Sequence, residues 1–313
     1  IFEAINAGVL TGNVIINITA DLSGELGTVV LNQWPEEPTG SNFTITIKPS
    51  GAARTITGSS AAGLITLNGA DRVTIDGTTT SIANAPDAAG DNLTIINTNA
   101  GLSSAVIWVQ TTAGGNGATN NTFKNLVILG SGGAQTLIGI GFGGTTISAA
   151  SLGTGNNNNR VESCDIQKVG IGIYSQGASA ANKNTGNVFT QNVLNAASPN
   201  NVTKNGIQVG FENNIQITEN NISGMVQTSS PDVFGIAAGI SGISTSTFTG
   251  NEVTNATIAR NIIGSVRNTG TFSACGICVA PATSGTNQIA NNAIWGVSAN
   301  GTSGDFSVGI LIG

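Results

Sequence analysis

Apolar residues come in short runs of three to five, broken by glycine and asparagine, and one arrangement of them keeps returning. "TENNISGM" (218–225), "TQNVLNAA" (190–197), "ARNIIGSV" (259–266) and "ANNAIWGV" (290–297) all read apolar-x-x-Asn-x-apolar. The pattern fits Phe189/Asn192/Leu194, Ile217/Asn220/Ile222, Ile258/Asn261/Ile263 and Ile289/Asn292/Ile294. Two earlier copies, Val161/Cys164/Ile166 and Phe123/Leu126/Ile128, keep the apolar positions and change the middle one. Between the copies falls a second pattern, Gly-Ile followed by an apolar or small residue: "GIGIY" (170–174), "GIQVG" (206–210), "GIAAG" (235–239), "GICVA" (276–280) and "GILIG" (309–313). The two alternate with a period of 28 to 41 residues, the signature of a solenoid.

Helical solenoids need 3.6-periodic apolar stretches of about ten residues or more, and few occur here. Short strands punctuated by Gly and Asn suit a parallel β-helix, whose coils stack about 4.8 Å apart. Strict alternation would turn the two apolar residues of the motif to opposite faces; a bend between them returns both to the interior. Asparagine tolerates the left-handed backbone such a bend requires, and stacked asparagines can hydrogen-bond to one another as a ladder. Asn192, Asn220, Asn261 and Asn292 are therefore expected in one column, with Ile217, Ile222, Ile258, Ile263, Ile289 and Ile294 inside. "NVIINITADL" (13–22), "NFTITIKPSG" (42–51), "GLITLNGADRVTIDG" (63–77) and "NLTIINTN" (92–99) extend the strands through the first half. "IFEAINAGVLTG" is the helix candidate, with Phe2, Ile5 and Val9 on one side and Gly12 as its stop; it would cover the first coil as a cap over 1–12. One β-helical domain then spans 1–313, with coils over 13–313. "GILIG" ends as a bare strand, which leads us to expect a longer parent chain, a second molecule stacked on that face, or fraying over 300–313.

Composition sharpens this picture. Only 8% of residues are charged, against roughly 25% in an ordinary soluble domain, and histidine is absent. A net charge of −6 and no basic run argue against nucleic acid, and no run approaches ~18 apolar residues, so no membrane insertion is expected. Cys275 and Cys278 have redox-pair spacing, but they lie in an alternating strand. Residues three apart there should point to opposite faces and keep the thiols from meeting.

The "NFTITIKPSG…RTITGSSAAGLITLNGADRVTIDG" stretch, the preceding helix and the later Asn bends resemble the right-handed parallel β-helices of the pectin-lyase-like superfamily. Within it the chain looks most like repetitive, very large secreted or surface proteins of Bacteroidetes and Chlorobi-type bacteria. That resemblance implies an all-β, right-handed parallel β-helix with a short N-terminal capping helix, and an extracellular or cell-surface location. Enzymes of the superfamily use acidic residues on calcium with an Arg or Lys base, or two or three clustered aspartates. Asp71, Arg72 and Asp76 of "DRVTIDG" form the densest charged group, with Asp87 and Asp91 in a nearby loop; Asp76 before Gly77 is also where a turn-forming Asp belongs. The residue before each bend aligns Ser163, Gln191, Glu219, Arg260 and Asn291, a mixed column with one Glu–Arg pair rather than an acid cluster.

Other chemistry fares less well. Thr-rich stretches such as "TITIK" and "TSTFTG" would suit ice only if their columns persisted from coil to coil. "GIGFGG" (139–144) lacks the following helix and Lys-Ser/Thr of a phosphate loop. Asn17, Asn42, Asn92 and Asn201 begin Asn-x-Ser/Thr triplets that composition alone explains. Trp34, Trp108 and Trp295, where exposed, would stack on sugar rings; Trp108 in "AVIWVQ" also suits the core. The reading is a rigid, non-enzymatic structural or adhesive module, with no catalytic, cofactor or metal residue assigned and no cofactor required. Its partners would be surface glycans or further copies stacked end to end. The alternative is a carbohydrate-binding or polysaccharide lyase- or hydrolase-like β-helix with a degenerate site.

Overall fold

Strands of two to six residues, each too short to stand alone, are held here by stacking on the equivalent strand of the next coil. The computed structural model describes residues 1–79, 92–228, 231–241, 250–279, 285–301 and 305–313. Among these, three sheets of nine strands each run the length of the molecule, every neighbouring pair parallel and about one coil apart in sequence. This is a right-handed parallel β-helix. The first sheet runs from Val14–Ile18 to Gln288–Ala290, the second from Leu22–Glu25 to Ala293–Trp295, and the third from Leu31–Asn32 to Ser307–Ile312.

The first two sheets follow simple alternation. Ile45 and Ile47 point inward and alternate with half-buried Thr46 and Lys48, as Leu93 and Ile95 do with Thr94 and Ile96. Phe123, Phe142 and Phe189 form an aromatic row in the interior, the first pair edge to face and the second stacked, with ring centroids 6.0 and 5.7 Å apart. The six isoleucines of the repeat lie inward as expected, Ile289 and Ile294 less completely buried than the rest.

From Gly63–Asn68 to Ala274–Val279 the third sheet is buried on both faces. Its outward side carries Ala105, Trp108, Ile138, Ile171 and Tyr174, which the segment after Gly143 folds over with Ile147 and Ala149. Trp108 Nε1 donates to the Gly144 carbonyl (2.9 Å) and the Tyr174 hydroxyl to the Ser151 carbonyl (2.6 Å), so each ring buries its apolar body and satisfies its polar tip. Farther along, Phe234, Ala237, Ile240, Cys275 and Cys278 make a second outer cluster.

The bends differ from expectation in one respect. The left-handed residue is not the repeated asparagine but the one before it: Ser163, Gln191, Glu219, Arg260 and Asn291 have φ between 51° and 62°. Non-glycine residues pay a steric cost there, because Cβ crowds the following carbonyl oxygen. The asparagine offsets that cost with hydrogen bonds. Asn192, Asn220, Asn261 and Asn292 stand in one column. Each Oδ1 from Asn220 onward accepts both the backbone N–H and the Nδ2 of the preceding asparagine, at 2.9–3.0 Å. Their Nδ2 groups also donate to the carbonyls of Val161, Phe189, Ile217 and Ile258.

The N-terminal helix is shorter than expected, Phe2–Asn6, so Ile5 is buried while Val9 is exposed beyond its end. At the other terminus Ser307–Ile312 pairs in register with Ala274–Val279.

Candidate functional site

The charged group at 71–76 is built into the scaffold. Asp71 Oδ1 accepts the amide and hydroxyl of Thr119, one coil on, at 2.7 and 2.9 Å. Arg72, itself left-handed at φ 60°, donates to Glu36 (2.8 Å) and to the Phe43 carbonyl (3.2 Å), with its guanidinium 5.9 Å from the Trp34 ring centre. Burial alone would raise the Glu36 pKa, but the Asn42 amide, Arg72 and the Phe43 amide outweigh it and hold the carboxyl below its usual range. Asp76 accepts the backbone amide and hydroxyl of Thr78 and the side-chain Nδ2 of Asn125, and pairs with Lys124 at 3.2 Å. Strand Val73–Asp76 separates the two aspartates, and each faces its own partners. Asp87 and Asp91 lie outside the described residues.

On the first sheet's outward face Asp76, Lys124 and Glu162 follow one another in consecutive coils, so the charge sign alternates along the column. Thr46, Thr74 and Thr122 also align over three coils, and Arg160 then ends that column. At the bend edge Glu219 accepts from Gln191 (3.1 Å) and from Arg260 Nε and Nη2 (2.8 and 2.7 Å). The Arg260 hydrogen bond holds the Glu219 carboxyl below its usual range. Both partners are exposed, so the pair contributes only about 0–1 kcal/mol.

The repeat reading missed a buried carboxyl. Glu212 is fully enclosed, accepting from the Ser175 hydroxyl, from Asn184 Nδ2 (3.3 Å) and from Asn187 Nδ2 (3.1 Å). Burial pushes its pKa up to about 7 against the pull of those three donors. It stands where two further asparagine columns end. Asn121, Asn159 and Asn187 form one of them, and Asn156 and Asn184 the other. The signal was present: "NNNN" at 156–159 recurs as "NTGN" at 184–187 and "ENNI" at 212–215, at the same 28-residue spacing as Asn192 to Asn220.

The thiols overturn a strand-alternation argument. Cys275 and Cys278 share the outward face, because Gly276 and Ile277 both turn inward: a Cβ on Gly276 would meet the Ile294 methyl, and Ile277 lies in the core. The neighbouring strands share this step, pairing Phe234, Cys275 and Val308 and then Ile236, Ile277 and Ile310 one for one, so the second consecutive inward residue shifts the alternation by one without breaking the register. The Cys278 thiol hydrogen-bonds with Cys275, and that contact together with burial raises its pKa strongly. Both are free and buried, which makes them poor nucleophiles. Among the described residues no group of three or more His, Cys, Asp and Glu is placed to hold a metal ion.

Trp34 and Trp108 are buried, at 3% and 1% exposure, and Trp295 is 52% exposed. A cavity of about 450 Å³ opens in the first coil beside the helix, walled by Ile16, Ile18, Leu22, Ile47 and Ile56, with Glu3 and Glu25 among its lining. Mixed polar edges, paired carboxylates and one exposed indole are the chemistry this surface offers.

No protein-family model matches the chain, and no curated protein matches it. Among solved structures it is similar to the Streptococcus pneumoniae surface protein and adhesin PfbA, at 15% identity over 98% of this chain and 77% of that one, with a TM-score of 0.37. It is also similar to the A-module of the Azotobacter vinelandii mannuronan C-5 epimerase AlgE6, at 12% identity over 100% of this chain and 93% of that one, with a TM-score of 0.31. Likeness at this level does not speak to activity.

Proposed function

We propose that the chain is a rigid, non-enzymatic structural or adhesive module of a bacterial secreted or cell-surface protein, related to the pectin-lyase-like β-helices. The observation that carries this reading is the continuity of the buried asparagine columns. They tie consecutive coils together through side chains as well as strands, a construction suited to a stiff rod. The densest charged group supports it too, since Asp71 and Asp76 accept backbone amides and Arg72 bonds a carbonyl, leaving these groups committed to the scaffold.

The test is turnover together with adhesion. Incubated with pectins, alginates and other uronate polymers in the presence of calcium, the protein should release no product above buffer, while it should adhere to a surface coated with cell-surface polysaccharide. Robust cleavage or epimerisation abolished by Asp76→Asn would replace this reading with the carbohydrate-active one.

A further inference from the structure

The exposed indole has a built seat. Trp295 is in register with Gly264, and Ile263 and Ile294 between them and the bend point into the core, so Gly264 and Trp295 face outward on the second sheet. A Cβ at Gly264 would stand 2.5 Å from ring atoms Cε2 and Cζ2. The ring therefore lies against the neighbouring coil's backbone and presents its other side to solvent. Two residues back along the same strands are Ile262, 44% exposed, and Ala293, also exposed. Two further back are Arg260 and Asn291 at the bend, both exposed. At about 3.3 Å per residue the strip from Gly264 to Ile262 runs roughly 7 Å along the strand, with Arg260 and Asn291 beyond it at the corner.

We propose that this strip binds a neutral pyranose oligosaccharide, with one sugar stacked on Trp295, the next over Ile262 and Ala293, and hydroxyls bonded by Arg260 and Asn291. A pyranose has an apolar C–H face and a rim of hydroxyls, and the strip matches that order: aromatic face, aliphatic patch, then polar donors. It is too small for a protein partner, which needs about 800 Å² on each side. Charge decides between sugars. Arg260 is already neutralised by Glu219 and the chain carries −6 overall, so a uronate polymer would meet net repulsion.

The inference rests on the adhesive reading and adds its ligand class and location. Because Trp34 and Trp108 are buried, tryptophan emission quenchable by acrylamide comes mainly from Trp295. Titration with cello-, xylo-, manno- and malto-hexaose should shift that emission and protect it from acrylamide for at least one sugar, with oligogalacturonate weaker. Calorimetry on the same sugar should show roughly tenfold or greater loss of affinity in Trp295→Ala. Gly264→Ala, which keeps the indole but lifts it from its seat, should also weaken binding, with both variants melting as cooperatively as the parent. Hexaose binding that survives Trp295→Ala undamaged would overturn the site while leaving the adhesive reading intact. No response to any neutral hexaose, with adhesion to coated surfaces retained, would overturn the ligand class. Loss of adhesion as well would remove the reading beneath it.

Discussion

Buried asparagine is expensive unless its polar atoms are used, and in the bend column Asn192, Asn220 and Asn261 each sit between two coils that use them. Asn220 accepts the Asn192 backbone amide and side chain, and donates to Asn261 and to the Phe189 carbonyl. Asn220→Ala should therefore destabilise by about 2–3 kcal/mol, since it leaves the buried Asn192 N–H without its acceptor and takes one hydrogen bond each from the Asn192 and Asn261 side chains and the Phe189 carbonyl. The half-buried neighbour Asn221, which faces outward, should change stability by less than about 0.5 kcal/mol on replacement with Ala. Urea unfolding of the pair checks the contrast. Glu212 gives a pH-dependent counterpart. Its folded pKa lies near 7, above the 4.5 of a free glutamate, so the fold favours the protonated form. The stabilisation is present in full below about pH 4.5 and is lost as pH rises through 7. Glu212→Gln should flatten the fall in urea midpoint between pH 5 and 7.5; an unchanged slope would mean that other groups set it.

At the scale of the element, the repeat was readable because its period survives in the apolar residues, and the strands at 14–18, 45–49, 63–68, 73–76 and 93–97 fall where alternation placed them. What alternation could not reveal was the consecutive inward pair, Gly276 and Ile277. "GIC" looks like a regular strand, yet a glycine able to turn inward beside Ile277 moves Cys278 to the side of Cys275. The helix was overextended for a similar reason: Val9 has the right spacing, but the chain leaves helical geometry after Asn6 to let Leu10 bridge Glu36. The outer layer of the third sheet was also hidden, since a strand buried on both faces carries no polar alternation to read. That layer is testable at Gly141, where a Cβ would sit 2.3 Å from Trp108 Cζ3. Gly141→Val should cost about 1–3 kcal/mol through overpacking and loosen the Trp108–Tyr174 stack, which near-ultraviolet circular dichroism would register. The candidate site was half legible. Trp295 was visible as a rare aromatic, but its glycine seat exists only once Gly264 is known to lie one coil away.

For the whole molecule, a β-helix should behave as a sum of coils and their interfaces. Removing the 28 residues from Asn192 to Glu219 joins Gln191 to Asn220, and every column then skips one member while keeping its face. The coil removed is the polar one of the outer layer. It carries Asn205, whose Oδ1 is buried without a partner, and Gln208, along with Glu212. Without it, Ile171 and Tyr174 would stand beside Phe234 and Ala237, bringing the two apolar outer clusters into contact. The shortened chain should fold cooperatively, retain its β-sheet circular dichroism, and scatter as a rod about 4.8 Å shorter. Removing only residues 192–205 breaks the period and should yield an unfolded or aggregated protein. A half-coil deletion that folds as well as the full-coil one would mean that the stacking register does not govern this fold.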